Sequence, residues 1–248
     1  MEGLGLSERV VFCCPTRDRP SDAYLSALEA SVPLLDAAGY VHAAVNEVGC
    51  PYISGARATM LRKAMLWGAD MVVFIDDDVS WEPQDLVTLL ETPGEVVAGT
   101  YRFKVPGDES YMGEVLSGED GRPVVRFDGA VLAEAIPAGF LKVTRRALES
   151  FMAAYPELVI DKDNNGFRSP DLFNHGAHKG VWWGEDYAFS RRWREMGGDI
   201  WIVPSLKLTH HGKDRSYPGD FHEYLLRRPG GSASAHPIPP IERGPFVR

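Results

Sequence analysis

The chain has 248 residues, 44% hydrophobic and 25% charged, which is enough for one substantial core and excludes wholesale disorder. A formal net charge of -9 argues against generic binding to nucleic acid or anionic lipid, although it leaves a local basic groove open. No apolar run is long enough to cross a bilayer, and residues 1–6 lack the basic and apolar regions of a signal peptide. Cys13, Cys14 and Cys50 have neither zinc-knuckle nor redox spacing, so they read as reduced residues of a cytoplasmic protein.

Residues 9–14 (RVVFCC) predict a buried strand that stops at Pro15-Thr16-Arg17. A helix follows over about 21–38, with Tyr24, Leu28 and Leu35 apolar and Gly39 closing it. Residues 41–45 predict a second strand. Ser54 or Gly55 then opens a helix in which Ala58, Leu61 and Met65 recur at helical spacing before Gly68. Met71-Val72-Val73-Phe74-Ile75 reads as a strand buried on both faces, and Asp76-Asp77-Asp78 follows at once. Pro83 suits the first residue of a helix that runs to Glu91, and 95–99 predict a fourth strand. This alternation implies a parallel sheet between two helical layers over about 8–100, with neither a G-x-G-x-x-G nor a Walker loop.

After Thr100 the pattern loosens. Residues 122–127 and 130–136 predict a hairpin around Asp128-Gly129, and 140–143 a strand leading into a helix capped by Thr144. The polar, glycine-bearing stretch 158–178 predicts a mobile loop. A strong helix is expected over 185–196, with Phe189, Trp193 and Met196 on one face, then a last strand at 200–203. From about 227 onward proline, glycine and serine mark a tail, leaving 1–226 as a single domain with halves near 8–100 and 101–226.

Three carboxylates at the C-terminal end of a buried strand repel one another unless a cation sits among them, and oxygen ligands suit Mg²⁺ or Mn²⁺ carrying a diphosphate. The plainer reading of Asp76-Asp77-Asp78 is a solvated turn that caps the next helix. Trp182-Trp183-Gly184-Glu185-Asp186 sets aromatic rings before two acids. The acids alone would offset a helix dipole, but with the rings they would suit a sugar face and a general base. The pair His210-His211, in a loop with Gly212 and Lys213, could complete a metal site or contact phosphate. Arg17, Arg57, Arg102 and Lys213 supply positive charge at loop positions, with Arg57 near a helix start where a diphosphate is favoured. The run from Asp161 to Gly166 opens like a calcium loop, but Leu172 stands where the closing glutamate belongs.

In their order these motifs resemble the GT-A fold glycosyltransferases, and most closely the inverting, family-two-like enzymes, including compact bacterial and phage-encoded members. The segments that carry the likeness are VVFCCPTRDRP, ISGARATMLRKAMLWGADMVVFIDDDVSW, PAGFLKVTRRALESF and WWGEDYAFSRRWREMGGDIWIVPSLKLTHHGK, together spanning about Val10 to Lys213. The resemblance implies an α/β, Rossmann-like three-layer sandwich with a mostly parallel sheet and a small antiparallel extension on the acceptor side. It implies a UDP- or GDP-sugar donor, a Mn²⁺ or Mg²⁺ cofactor, and a hydroxyl acceptor on a glycan, lipid-linked sugar, protein or modified DNA. By the same resemblance Asp76, Asp78 and His210 would ligate the metal. Pro15, Thr16, Arg17, Arg57, Asp76, Asp77 and Lys213 would border the donor, and Trp182, Trp183 and Gly184 the acceptor. Asp186 would be the base, with Glu185 beside it.

Two features depart from the pattern. Asn46-Glu47 stands where many members carry an acidic pair followed by Gly-Ser, and the Trp-Gly-Glu element also resembles some retaining enzymes, so both stereochemical outcomes stay open. A sugar-phosphate nucleotidyltransferase would carry a glycine-rich basic loop after its first strand, which this chain lacks. A non-catalytic carbohydrate-binding module would have no need of the nucleotide-type half.

Overall fold

The computed structural model describes residues 7–161, 164–178 and 180–227. In chain order it runs β1 (Arg9–Thr16), α1 (Asp22–Ala37), β2 (Val41–Val48), α2 (Ile53–Trp67), β3 (Met71–Ile75), β4 (Val79–Ser80), α3 (Pro83–Glu91) and β5 (Val96–Ala98). Next come β6 (Glu114–Val115), β7 (Val131–Ala135), β8 (Phe140–Thr144) and α4 (Arg145–Ala154). The short strands β9 (Val159–Ile160), β10 (Ser169–Pro170), β11 (Gly176–His178) and β12 (Val181–Trp183) lead to α5 (Glu185–Glu195). β13 (Ile200–Ile202), β14 (Thr209–His211), β15 (Ser216–Pro218) and α6 (Phe221–Arg227) complete the order.

Successive residues of a strand point to opposite faces, and the core divides accordingly. Val11, Cys13, Val72, Phe74, Leu141 and Val143 face one way and pack with Met60 and Leu61 of α2, Phe151 of α4, and Phe189 and Trp193 of α5. Val10, Phe12, Cys14, Val73, Ile75 and Phe140 face the other way, against Tyr24 and Leu35 of α1 and Leu86 and Leu89 of α3. The result is an α/β fold in three layers. The caps follow local chemistry: Ser21 and Thr144 accept from the backbone of Tyr24 and Ala147, and Gly68 closes α2 at φ +86°, where a side chain would be strained.

The sheet order is β2-β1-β3-β8-β5-β13-β7-β6. β2, β1 and β3 are parallel, as are β5 and β13, but β8 enters antiparallel between β3 and β5, and β7 and β6 are antiparallel as well. The sheet is therefore mixed where a mostly parallel one was expected. The chain leaves β5 and enters β8 at the same edge, where Gly99 N–H donates to Phe140 O, so β8 must run back. The expected hairpin keeps its turn, with Gly129 at φ +85°, but its first arm is reduced to bridges at Pro123 and Val125.

The stretch 158–178 is better anchored than its composition implies. Leu158, Leu172 and Phe173 are buried, and β9 pairs with β10. Asp161 accepts from the backbone of Asn165 and Gly166, while residues 162 and 163 lie outside the described set. Of the expected tail only Arg227 is described, and it is the last residue of α6. No helix among the described residues is long and apolar enough to cross a membrane.

Candidate active site

β1 and β3 run parallel, so Thr16 and the acidic triplet emerge at the same sheet edge, where open α/β sheets bind ligands. β8 starts at this edge, and Asp76 N–H donates to Gly139 O just before it. Asp76 Oδ1 accepts from Arg57 Nη2 at 3.2 Å, and its Oδ2 accepts from the Tyr101 hydroxyl at 3.2 Å. Gly139 makes this approach possible: a Cβ there would lie 2.1 Å from Tyr101 Oη and 2.3 Å from Asp76 Oδ2.

Arg57 projects from α2 with a fully buried side chain. Its Nη1 donates to Glu185 Oε1 at 3.2 Å while Nη2 holds Asp76, and its guanidinium lies 5.0 Å from the Phe173 ring centroid. Arg57, expected at a phosphate, here meets two carboxylates. A guanidinium enclosed between two carboxylates is their counter-ion, and Arg57 links the acidic triplet to the start of α5.

Pairing of β4 with β14 brings His210 opposite Val79, next to the triplet. His210 Nδ1–H donates to the Arg102 carbonyl at 2.8 Å, which leaves Nε2 of the neutral ring as an acceptor, 3.5 Å from Asp78 Oδ1. Two acceptors facing each other require a cation between them, either a proton on the ring or a metal ion. His211 differs, with its ring nitrogens on the hydroxyls of Ser80 and Ser216. Burial works to raise the Asp78 pKa, but the neighbouring His210 ring and Lys104 ammonium outweigh it and hold the carboxyl below its usual range.

The predicted set of three metal ligands is only partly assembled. Among the described residues no group of three His, Cys, Asp or Glu side chains is arranged to hold an ion. Asp76 is taken up by Arg57 and Tyr101, while Asp78 also carries the Lys104 ammonium. Asp78 and His210 do fit a hard divalent cation of the kind that takes one or two protein ligands and fills the rest with water and phosphate oxygens.

Asp77 turns the other way. Thr16 Oγ1 donates to its Oδ2 at 2.5 Å, and burial pushes its carboxyl upward. It lines an open cleft of about 500 Å³ with Pro15, Thr16, Arg17, Glu47 and Pro51. The expected donor residues at the end of β1 thus share one cleft, and Glu47, which the sequence marked only as a departure, belongs there too. Lys213 is exposed in the turn between β14 and β15, and Lys104 is the lysine that meets the triplet.

At the other side of Arg57, Gly184 is the N-cap of α5 and Glu185 and Asp186 form its first turn. Burial and the neighbouring Glu185 raise the Asp186 pKa to about 6, against the opposing pull of Arg57. The two tryptophans diverge, as adjacent strand residues must. Trp182 is exposed and lines a groove with Tyr52, Ile53, His175 and Glu185. Trp183 is buried, with the His178 ring 4.1 Å away and Arg191 over it at 5.0 Å, and its ring does not line the groove that Trp182 lines.

No protein-family model and no curated protein matches the chain. Among solved structures it is similar to a Drosophila β-1,4-galactosyltransferase 7 mutant in complex with manganese, UDP-Gal and xylobiose, at 15% identity and TM-score 0.41, over 90% of this chain and 74% of that one. It is similar to S. aureus TarS at 11% identity and TM-score 0.44, over 88% of this chain and 63% of that one. The inositol-1-phosphate CTP transferase of T. maritima aligns at 10% identity and TM-score 0.39, over 84% of this chain and 90% of that one.

Proposed function

We propose that the chain is a glycosyltransferase of the GT-A type that moves a sugar from a UDP- or GDP-sugar to an acceptor hydroxyl. The observation that carries this reading is the Arg57 bridge. One buried guanidinium joins Asp76, beside the cleft at the end of β1, to Glu185, beside the aromatic groove. A donor cleft and an acceptor groove sharing one counter-ion suit a two-substrate transfer. A nucleotidyltransferase would call for a basic glycine-rich loop after β1, and Pro15-Thr16-Arg17 is not one. On this reading residues 1–226 act as one catalytic unit.

In this mechanism the nucleoside occupies the cleft between Thr16, Glu47 and Asp77, with Arg17 at its rim. Asp78 and His210 would hold a Mn²⁺ or Mg²⁺ ion, which when bound offsets charge on the departing diphosphate. Trp182 offers an exposed aromatic face to the acceptor, and Glu185, fixed by Arg57, orients it. Asp186 takes the proton from the acceptor hydroxyl as that oxygen attacks the anomeric carbon, which implies inversion.

A base with a pKa near 6 works only when deprotonated. The rate should therefore climb as pH rises through about 6 and level off above it. Asp186→Asn should lower turnover on the order of 10²–10⁴-fold and abolish that acidic limb, while nucleotide binding persists. Turnover near the wild-type rate in this variant would show Asp186 to be a helix-capping residue only.

A further inference from the structure

Residues 101–104 touch every side chain of the expected cation set. Tyr101 donates to Asp76 Oδ2 at 3.2 Å, and its ring meets the His210 ring edge-on with centroids 4.7 Å apart. The Arg102 carbonyl accepts from His210 Nδ1 at 2.8 Å and so fixes which nitrogen faces Asp78. Two residues on, the Lys104 ammonium is hydrogen-bonded to Asp78 Oδ2.

These contacts differ in how firmly they are held. Tyr101 is buried, and Arg102 is tied down by its donation to Asp108 O at 2.6 Å. Lys104, at the end of a flexible stem, has a side chain 33% exposed and pairs with a carboxylate 38% exposed. Asp78 Oδ1 faces His210 and Oδ2 faces Lys104, so a divalent ion between Oδ1 and His210 Nε2 takes the second oxygen as well only if Lys104 withdraws. His210 is oriented by a backbone carbonyl, whereas Lys104 can swing into solvent.

We propose that Lys104 is a built-in counter-ion of Asp78, holding the carboxylate oxygen that a divalent cation bound between Asp78 and His210 would take next, and that the cation displaces it. This inference rests on the reading of Asp78 and His210 as a cation site. A half-exposed ion pair of this kind changes an equilibrium constant by roughly 1.5- to 5-fold. The displaced ammonium would still repel the ion, so the penalty on metal binding is larger, about 3- to 10-fold. Lys104 thereby sets how strongly the free protein competes for metal.

The test is a Mn²⁺ titration of the full chain, followed by electron paramagnetic resonance of the free ion, with no nucleotide present. Lys104→Met should bind Mn²⁺ about 3- to 10-fold more tightly than wild type, and Lys104→Arg no more tightly. Lys213→Met removes a charge from the β14–β15 turn without touching Asp78 and should change affinity less than about two-fold. If Mn²⁺ binds wild type and is lost in Asp78→Ala, yet Lys104→Met matches wild type, the cation site stands and the role of Lys104 falls. Equal tightening in Lys213→Met would also overturn it, because displacement would then be indistinguishable from general charge. If neither wild type nor Lys104→Met binds Mn²⁺, both the counter-ion role and the cation site are wrong.

Discussion

Gly139 shows how much of this site depends on a missing side chain. Asp76 and Tyr101 close over its Cα, and the space a Cβ would need is already filled by their oxygens. Gly139→Ala should cost about 1–3 kcal/mol, as overpacking usually does, and should push Asp76 off Tyr101. Chemical denaturation would measure the loss, and unchanged stability would mean that the approach is looser than 2.3 Å. The small-residue turn Pro137-Ala138-Gly139 was visible in the sequence, but its partners 63 and 38 positions away were not. Carboxylates were legible because they came in runs. Tyr101, Lys104 and Glu47 are single polar residues with no periodicity around them, and only the fold brings them to the triplet. Arg57 was legible by position near the start of α2. Its burial was not, because nothing local reveals that Asp76 and Glu185 converge on it.

Among the elements, the segment between α4 and α5 departs most from expectation. Its polar composition hid a two-residue anchor, Leu172-Phe173, whose side chains are fully buried. Phe173 stacks on Phe189 at 4.6 Å, meets Phe74 edge-on at 5.0 Å and lies beneath Arg57. Phe173→Ala should therefore cost about 3–5 kcal/mol through transfer and cavity effects. It should also loosen α5, seen as faster amide exchange over its first turn. A loss under about 1 kcal/mol would show that the segment merely rests on the core. The pairing of β4 with β14 was equally hidden. Two- and three-residue strands carry too few side chains to show alternation, yet this pairing is what sets His210 beside Asp78.

At the scale of the whole molecule, strand-helix alternation in the first half predicted the layers correctly, because β1, β2 and β3 are each long enough to show their pattern. The reversed β8 could not be read from the chain, since a run buried on both faces looks the same in either direction. That reversal helps to shape the site, for it brings Gly139 to the edge where β3 ends. The central claim is that this edge binds a nucleoside diphosphate through a divalent cation. Calorimetric titration of UDP and of GDP into the wild-type protein, with Mn²⁺ and then with chelator, tests it most directly. At least one nucleotide should bind with Mn²⁺ and lose most of its affinity both on chelation and in Asp78→Ala. Binding of neither nucleotide, or equal affinity with and without the metal, would contradict it.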